Sequence, residues 1–284
     1  MQSETEKTKQ VYLTKTKQIK KEKFMLIRIL SSGSHGNMII LDDTENSLSG
    51  ARLILDCGIK GKSLVKALEP PLSNIDGAFI THEHGDHCKG VTDLLKYGIK
   101  VYSAYESLDE MGDKIRDNDN TETVEAWKIT ETENFTVMPF PAFHDGVNPL
   151  NYLVKSKISG KKIVYITDTG YINSRFPGDI DAYIIECNYI EEKLDYNIRR
   201  NPQLKILKAR LSETHLSFKK TIEFFKKQFE SVKPAVIPKI ILAHISDGNG
   251  DSVRMEREIT ESVIPYFTGF PEIAAAADGT EIFI

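Results

Sequence analysis

From Met25 onward, short apolar runs alternate with polar breaks rich in turn-forming residues. The strand-like runs are FMLIRIL (24–30), NMIIL (37–41), RLILD (52–56), GAFIT (77–81), FTVMPF (135–140), NYLVKS (151–156), KIVYITD (162–168), AYIIECN (182–188) and KIILAHIS (239–246). A last run, IAAAADGTEIFI (273–284), contains Asp278-Gly279, a pair that favours a turn. Several runs are apolar at nearly every position, as suits strands covered on both faces. Helices are predicted near 61–68, 90–97, 218–228 and 252–263. Strands grouped in sets with helices between them predict an α/β fold: two sheets sandwiched by helices, in αββα order, as one domain over 25–284.

The first 24 residues break this pattern. They are polar and lysine-rich, closing on KTKQIKKEKF, and are expected to form a solvated extension or a basic arm that touches phosphates. Over the full 284 residues the formal net charge is −4, so any grip on nucleic acid must be local. No apolar run approaches the ~20 residues of a membrane span. The N-terminus has no apolar export signal either. Three cysteines, Cys57, Cys88 and Cys187, form no CxxC pair and point to a reducing, cytoplasmic setting.

The chemistry is concentrated in THEHGDHCKG (81–90), where three histidines and two carboxylates fall within six positions directly after a strand. Loops held by a rigid sheet are where sites gather. His82 and His84 are two apart, so an extended backbone points them the same way. Asp86 and His87 lie beyond Gly85, a residue that permits a turn. One stretch thus offers ligands to one metal ion and to a neighbour. Imidazole and carboxylate suit zinc, and also manganese or iron. The chain has only seven histidines, and three of the other four, His144, His215 and His244, fall at strand or loop boundaries.

H-x-H-x-D-H after a strand resembles the signature of the metallo-β-lactamase fold. Four further motifs of that superfamily appear in order: Asp56 in LILDCG, His144 in PAFHDG, Asp168 in YITDTG and His244 in ILAHIS. The resemblance implies that His82, His84 and His144 hold one divalent metal ion. Asp86, His87 and His244 would hold a second, with Asp168 shared and Asp56 supporting the metal loop. Three longer stretches are similar to the YycJ/WalJ-like nuclease branch: SSGSHGN (31–37), THEHGDHCKGV (81–91) and ECNY with KARLSETHLS (186–217). This chain departs from that branch at His35, at Gly85 in place of serine, and at Thr214 in place of glycine.

His215 matters most for the reaction. The related tRNA 3′-processing nucleases place a histidine similarly, against the scissile phosphate, where it can act as general acid. Phosphodiester hydrolysis needs an attacking hydroxide, charge neutralisation and a protonated leaving group. By resemblance, Glu186 orients His215; sequence proximity makes Glu213 a second candidate. Asp86 is expected at the reacting centre as well as among the ligands. His35, Lys219 and Lys220 are candidate substrate contacts, as are Lys205, Lys208 and Arg210, and Asp145 is a candidate partner of His144. The expected activity is hydrolysis of a nucleic-acid phosphodiester by two divalent metal ions, on DNA rather than RNA and in the manner of an exonuclease. A cyclic nucleotide or other small phosphodiester, or a lactone, thioester or lactam, stays open as substrate. So does a binding protein without catalysis, against which the complete ligand set argues.

Overall fold

The computed structural model describes residues 24–43 and 50–284. The lysine-rich extension predicted over residues 1–24 thus lies outside the described residues, apart from Phe24. The strands in chain order are β1 (Leu26–Ser31), β2 (Met38–Asp43), β3 (Ala51–Leu55), β4 (Ile75–Phe79), β5 (Val101–Ser103), β6 (Thr121–Thr123) and β7 (Thr130–Glu131). There follow β8 (Phe135–Pro141), β9 (Leu150–Ser156), β10 (Lys162–Ile166), β11 (Ala182–Glu186), β12 (Lys239–Ala243), β13 (Ile273–Ala275) and β14 (Thr280–Phe283). They form two seven-stranded sheets, ordered β14-β1-β2-β3-β4-β5-β6 and β13-β12-β11-β10-β9-β8-β7. The run IAAAADGTEIFI does turn at Gly279, which has a φ of 83° that favours glycine. The strands on either side of the turn belong to different sheets: β13 ends the second and β14 returns to pair antiparallel with β1.

Three apolar layers hold this arrangement. One core lies between the sheets, with Ile27, Leu53 and Phe79 from the first meeting Val137, Tyr165 and Ile241 from the second. A second packs the helices Phe218–Ser231 and Ser252–Val263 onto the second sheet through Phe225, Phe229, Met255 and Ile259. A third packs Gly61–Leu68 and Val91–Lys96 onto the first sheet through Leu64, Leu68, Val91 and Leu94. Helix, sheet, sheet and helix are therefore stacked in four layers, as the pattern predicts. Both faces of the central strands are covered, which is why β3 and β11 are buried at every position. Among the described residues, no helix is long and apolar enough to cross a membrane.

In each sheet the central strands β3–β4 and β10–β12 run parallel, so their C-terminal ends collect along one edge. The loops leaving that edge carry the polar motifs. The THEHGDH loop is clamped from beneath by backbone contacts: Asn37 N donates to Asp86 O at 2.7 Å, and Cys57 N donates to His87 O at 2.7 Å. Gly58 lies in this clamp, where a β-carbon would fall 1.7 Å from Asp86 O and 2.4 Å from Asn37 N. Neither backbone atom can yield without breaking the clamp. Gly58→Ala is expected to cost about 3 kcal/mol and to loosen the metal loop. Thermal unfolding with metal titration checks this, and a wild-type melting temperature would contradict it.

Candidate metal centre

Each motif residue sits just past a strand end on the shared edge, and three are held in left-handed backbone conformations. Asp56 after β3, Asp168 after β10 and His244 after β12 have φ of 59°, 41° and 53°. Such conformations cost roughly 1–3 kcal/mol each and persist only where the surroundings impose them. They turn the side chain out of the strand's alternation and into the space between the sheets' ends.

Three groups of side chains there place their ligand atoms within 4.8 Å of one another: His82, His84 and His144; Asp86, His87, Asp168 and His244; and Asp168, Glu186, His215 and His244. Asp168 links them. Its Oδ2 lies 2.7 Å from His87 Nε2, 3.5 Å from His82 Nε2 and 3.9 Å from His144 Nε2. Its Oδ1 lies 2.9 Å from His244 Nδ1. The motif residues separated in sequence therefore converge on one buried carboxylate.

Outer contacts fix the rings. Asp56 Oδ2 binds His87 Nδ1 at 2.8 Å, while Asp56 also accepts hydrogen bonds from Thr81 N at 2.8 Å, Thr81 Oγ1 at 2.9 Å and Tyr165 Oη at 2.7 Å. His144 Nδ1 donates to Thr214 O at 2.8 Å, and His82 Nδ1 is 3.0 Å from Thr81 Oγ1. In His82, His87 and His144 this directs Nε2 towards the common space, the arrangement by which neighbouring groups set a metal-binding tautomer. The buried His82 Nε2 and His244 Nε2 have no hydrogen-bond partner. Unpartnered buried nitrogens are rare unless something else is meant to bind them. With two carboxylates and neutral imidazoles around them, the donor set fits divalent zinc, manganese or iron. None of the groups includes a cysteine. Cys57 and Cys187 are buried and Cys88 half-buried, and burial pushes all three thiols up, away from the thiolate form.

Next to this space, His215 Nδ1 lies 2.6 Å from Glu186 Oε1. Burial disfavours the charged imidazole, but the Glu186 carboxylate outweighs it and raises the His215 pKa. Glu186 is fully enclosed, and its Oε2 accepts from Thr169 N at 3.1 Å and Leu216 N at 3.0 Å. A cleft of about 370 Å³ opens over His215 and His244, walled by His35, Asn188, Arg210 and Asp247.

Several expectations change. Glu213 is exposed and only its backbone packs at the site, against Gly170, so of the two carboxylates it is Glu186 that contacts His215. Lys220, expected at the substrate, instead donates to the Gly170 and Ser212 carbonyls at 2.7 and 2.6 Å and ties those two segments together. Lys219 is exposed beside Glu192, 3.6 Å away, and lines no part of the cleft. Lys208 pairs with Asp195, leaving Arg210 as the basic side chain of that segment on the cleft wall. Arg210 is held there by Asp145 at 2.7 Å, and Asp145 in turn stands 3.1 Å from His144 Nε2. Gly85 opens a short helical turn, Gly85–Cys88, rather than a turn needing positive φ.

Three contacts have no signature in the motif pattern. Asn37 Nδ2 reaches His87 Nε2 at 3.1 Å, Asn188 Nδ2 reaches His244 Nδ1 at 3.2 Å, and the Glu83 carboxylate accepts from Val147 N at 2.9 Å. The only prior signal was position: Asn37 and Asn188 lie inside the stretches SSGSHGN and ECNY, and Glu83 lies between the two histidines.

Comparison with known proteins agrees with this fold. The exodeoxyribonuclease YycJ of Bacillus anthracis is 31% identical over 176 residues, 58% of this chain and 64% of the relative. The exodeoxyribonuclease WalJ of Streptococcus pneumoniae serotype 2 (strain D39 / NCTC 7466) is 33% identical over 179 residues, 58% of this chain and 63% of the relative. In each case the match spans just under two thirds of the relative's length. Among solved structures, the metallo-beta-lactamase fold protein YhfI from Bacillus subtilis superposes with a TM-score of 0.63 at 15% identity, covering 92% of this chain and 100% of that one. Residues 51–236 match the model of the beta-lactamase superfamily domain, and the chain belongs to that superfamily.

Proposed function

We propose that this protein is a metal-dependent phosphodiesterase that hydrolyses nucleic acid, with DNA as the favoured polymer. The single observation that carries the reading is the His215–Glu186 pair, 2.6 Å apart and placed against Asp168 and His244 at the floor of the cleft. A lactone, thioester or lactam hydrolase has less use for a buried, carboxylate-backed histidine beside the candidate metal ligands. The names of the two exodeoxyribonuclease relatives support the choice of DNA.

In this reading His82, His84 and His144 would hold one metal ion, Asp86, His87 and His244 would hold another, and Asp168 would serve both. Metal ions bound there supply an activated water at neutral pH and neutralise charge on the phosphoryl oxygens. The rest falls to the protein. Asp56 fixes the His87 ring through Nδ1, and Thr214 O fixes His144 in the same way. Glu186 holds the His215 proton at Nδ1 and, by its charge, favours the imidazolium. That leaves Nε2 of His215 to donate to a phosphate oxygen or to the departing alkoxide. Arg210, pinned by Asp145, and His35, 3.5 Å from Asp247, stand on the cleft walls where neighbouring phosphates pass.

The test is a substrate panel on protein loaded with manganese or zinc: end-labelled single- and double-stranded DNA, RNA, cyclic nucleotides and a chromogenic lactam. DNA shortening from an end is expected. Hydrolysis of cyclic nucleotides with every polymer left intact would overturn the polymer assignment.

A further inference from the structure

The loops that carry His144 and Asp168 also carry an aromatic pair that the metal centre does not use. Phe143 and Tyr171 stack with ring centroids 3.8 Å apart and planes within 19°. Hydrogen bonds lock the two loops together: Gly170 N donates to Phe143 O at 2.8 Å, Phe143 N to Thr169 Oγ1 at 2.9 Å, and Thr169 Oγ1 to Tyr171 O at 2.8 Å. Phe143 covers one face of Tyr171, yet Tyr171 remains 46% exposed. Backed by Phe143 and still exposed, Tyr171 presents a flat apolar face beside the loops of the metal centre.

Beside it lies a groove of about 220 Å³, lined by Tyr171, Arg175, Lys220, Glu223, Phe224 and Lys227. Leu216, next to His215, forms part of its inner wall. Lys220 is already committed to backbone carbonyls. Arg175 donates only to the Ser174 carbonyl, at 3.1 Å, and forms no ion pair among the described residues. Lys227 has Glu223 at 3.9 Å, a loose and exposed pair. The groove thus joins an open aromatic face to two available cations, and it starts three residues from Asp168.

We propose that Tyr171 is a stacking platform for a base of the substrate strand, and that Arg175 and Lys227 receive the phosphates beyond it. The occupant is a single-stranded polynucleotide segment leaving the metal centre over the Phe143–Tyr171 pair. Every base has a π-face, so such a platform grips a strand without reading its sequence. The inference rests on the nucleic-acid reading above and adds the path of the strand.

Its test compares a short single-stranded oligodeoxynucleotide with copies carrying one abasic site at successive positions from the cleaved end. The wild-type protein should lose roughly tenfold in kcat/KM at one abasic position, the scale of one lost stack. Tyr171→Ala should reduce that discrimination to about twofold or less, and Tyr171→Trp should keep it. The double variant Arg175→Ala/Lys227→Ala should make the dependence of log(kcat/KM) on log[salt] shallower by at least about 1. Cleavage of the polymer with no abasic penalty at any position, or with the full penalty retained in Tyr171→Ala, would overturn the platform. An unchanged salt slope would overturn the groove. Cleavage of cyclic nucleotides without the polymer would instead remove the nucleic-acid reading itself, so the two failures are distinguishable.

Discussion

Asp168→Ala is expected to strip the protein of metal and of activity together, lowering turnover by more than about 10³-fold. Asp168 is buried, and it reaches both ligand groups: Oδ2 faces His87 of the second and, further off, His82 of the first, while Oδ1 faces His244 of the second. The first group is otherwise three neutral imidazoles. Asp86 brings charge only to the second. Removing Asp168 therefore takes from the first group its one buried carboxylate, leaving only Asp145, which is engaged by Arg210, and from the second group one of two. A divalent ion surrounded by imidazole alone is held less tightly and is less well neutralised. The loss should be visible as metal content by elemental analysis, with circular dichroism confirming that the chain is folded. Asp168→Asn keeps the shape and removes the charge, so it should fail in the same way. Unchanged metal stoichiometry in both variants would refute the shared-carboxylate assignment.

The legibility of this site in the sequence follows from how each residue acts. Ligands must be His or Asp, and their spacing within a loop is constrained by the strand that delivers them. His82, His84, Asp86 and His87 therefore stand out as a run, and Asp56, His144, Asp168 and His244 each stand out at a strand end. The residues that support them are chosen for reach rather than type. Nothing in a single Asn, Glu or Tyr announces that it will meet a histidine 50 or more positions away, as Asn37 meets His87 and Tyr165 meets Asp56. The left-handed conformations at Asp56, Asp168 and His244 are equally silent, because no glycine marks them.

The fold shows the same division. Strands buried on both faces announce themselves as apolar runs, whereas β5, β6 and β7, of three, three and two residues, are too short to show a period. The helices Glu191–Arg200 and Lys205–Thr214 carry a weaker apolar signal, Leu194 and Ile198 of the first packing with Leu211 of the second. The first buries only Leu194, and in the second Ile206 is 84% exposed. A helix packed on a small satellite cluster rather than on a sheet has little reason to carry a broad stripe. The lysines misled for a related reason. A cation near a motif reads as a substrate contact, but whether its ammonium is free depends on carbonyls such as those of Gly170 and Ser212, which the sequence does not place.

His215→Ala should leave metal in place and slow phosphodiester cleavage by about 10²–10⁴-fold. Its separability from the metal centre rests on Glu186. Without the imidazole, the Glu186 carboxylate still accepts from His244 Nδ1 at 2.9 Å, Thr169 N at 3.1 Å and Leu216 N at 3.0 Å. The buried Glu186 carboxylate thus keeps three N–H partners, so the fold and the His244 orientation should survive. The size of the effect should depend on the leaving group. A nucleoside alkoxide must be protonated as it departs, whereas a nitrophenolate is stable without a proton. If His215 is the acid, the variant should lose most of its rate on DNA and much less on bis(p-nitrophenyl) phosphate. If His215 only grips a phosphate oxygen, both substrates should fall together. Glu186→Gln should follow the same pattern, because it removes the charge that favours the imidazolium; its amide NH2 would also face N–H donors on one side, so circular dichroism must show that the variant is folded. Near-normal turnover of DNA by His215→Ala would remove this residue from the reaction and leave the metal ligands to account for it alone.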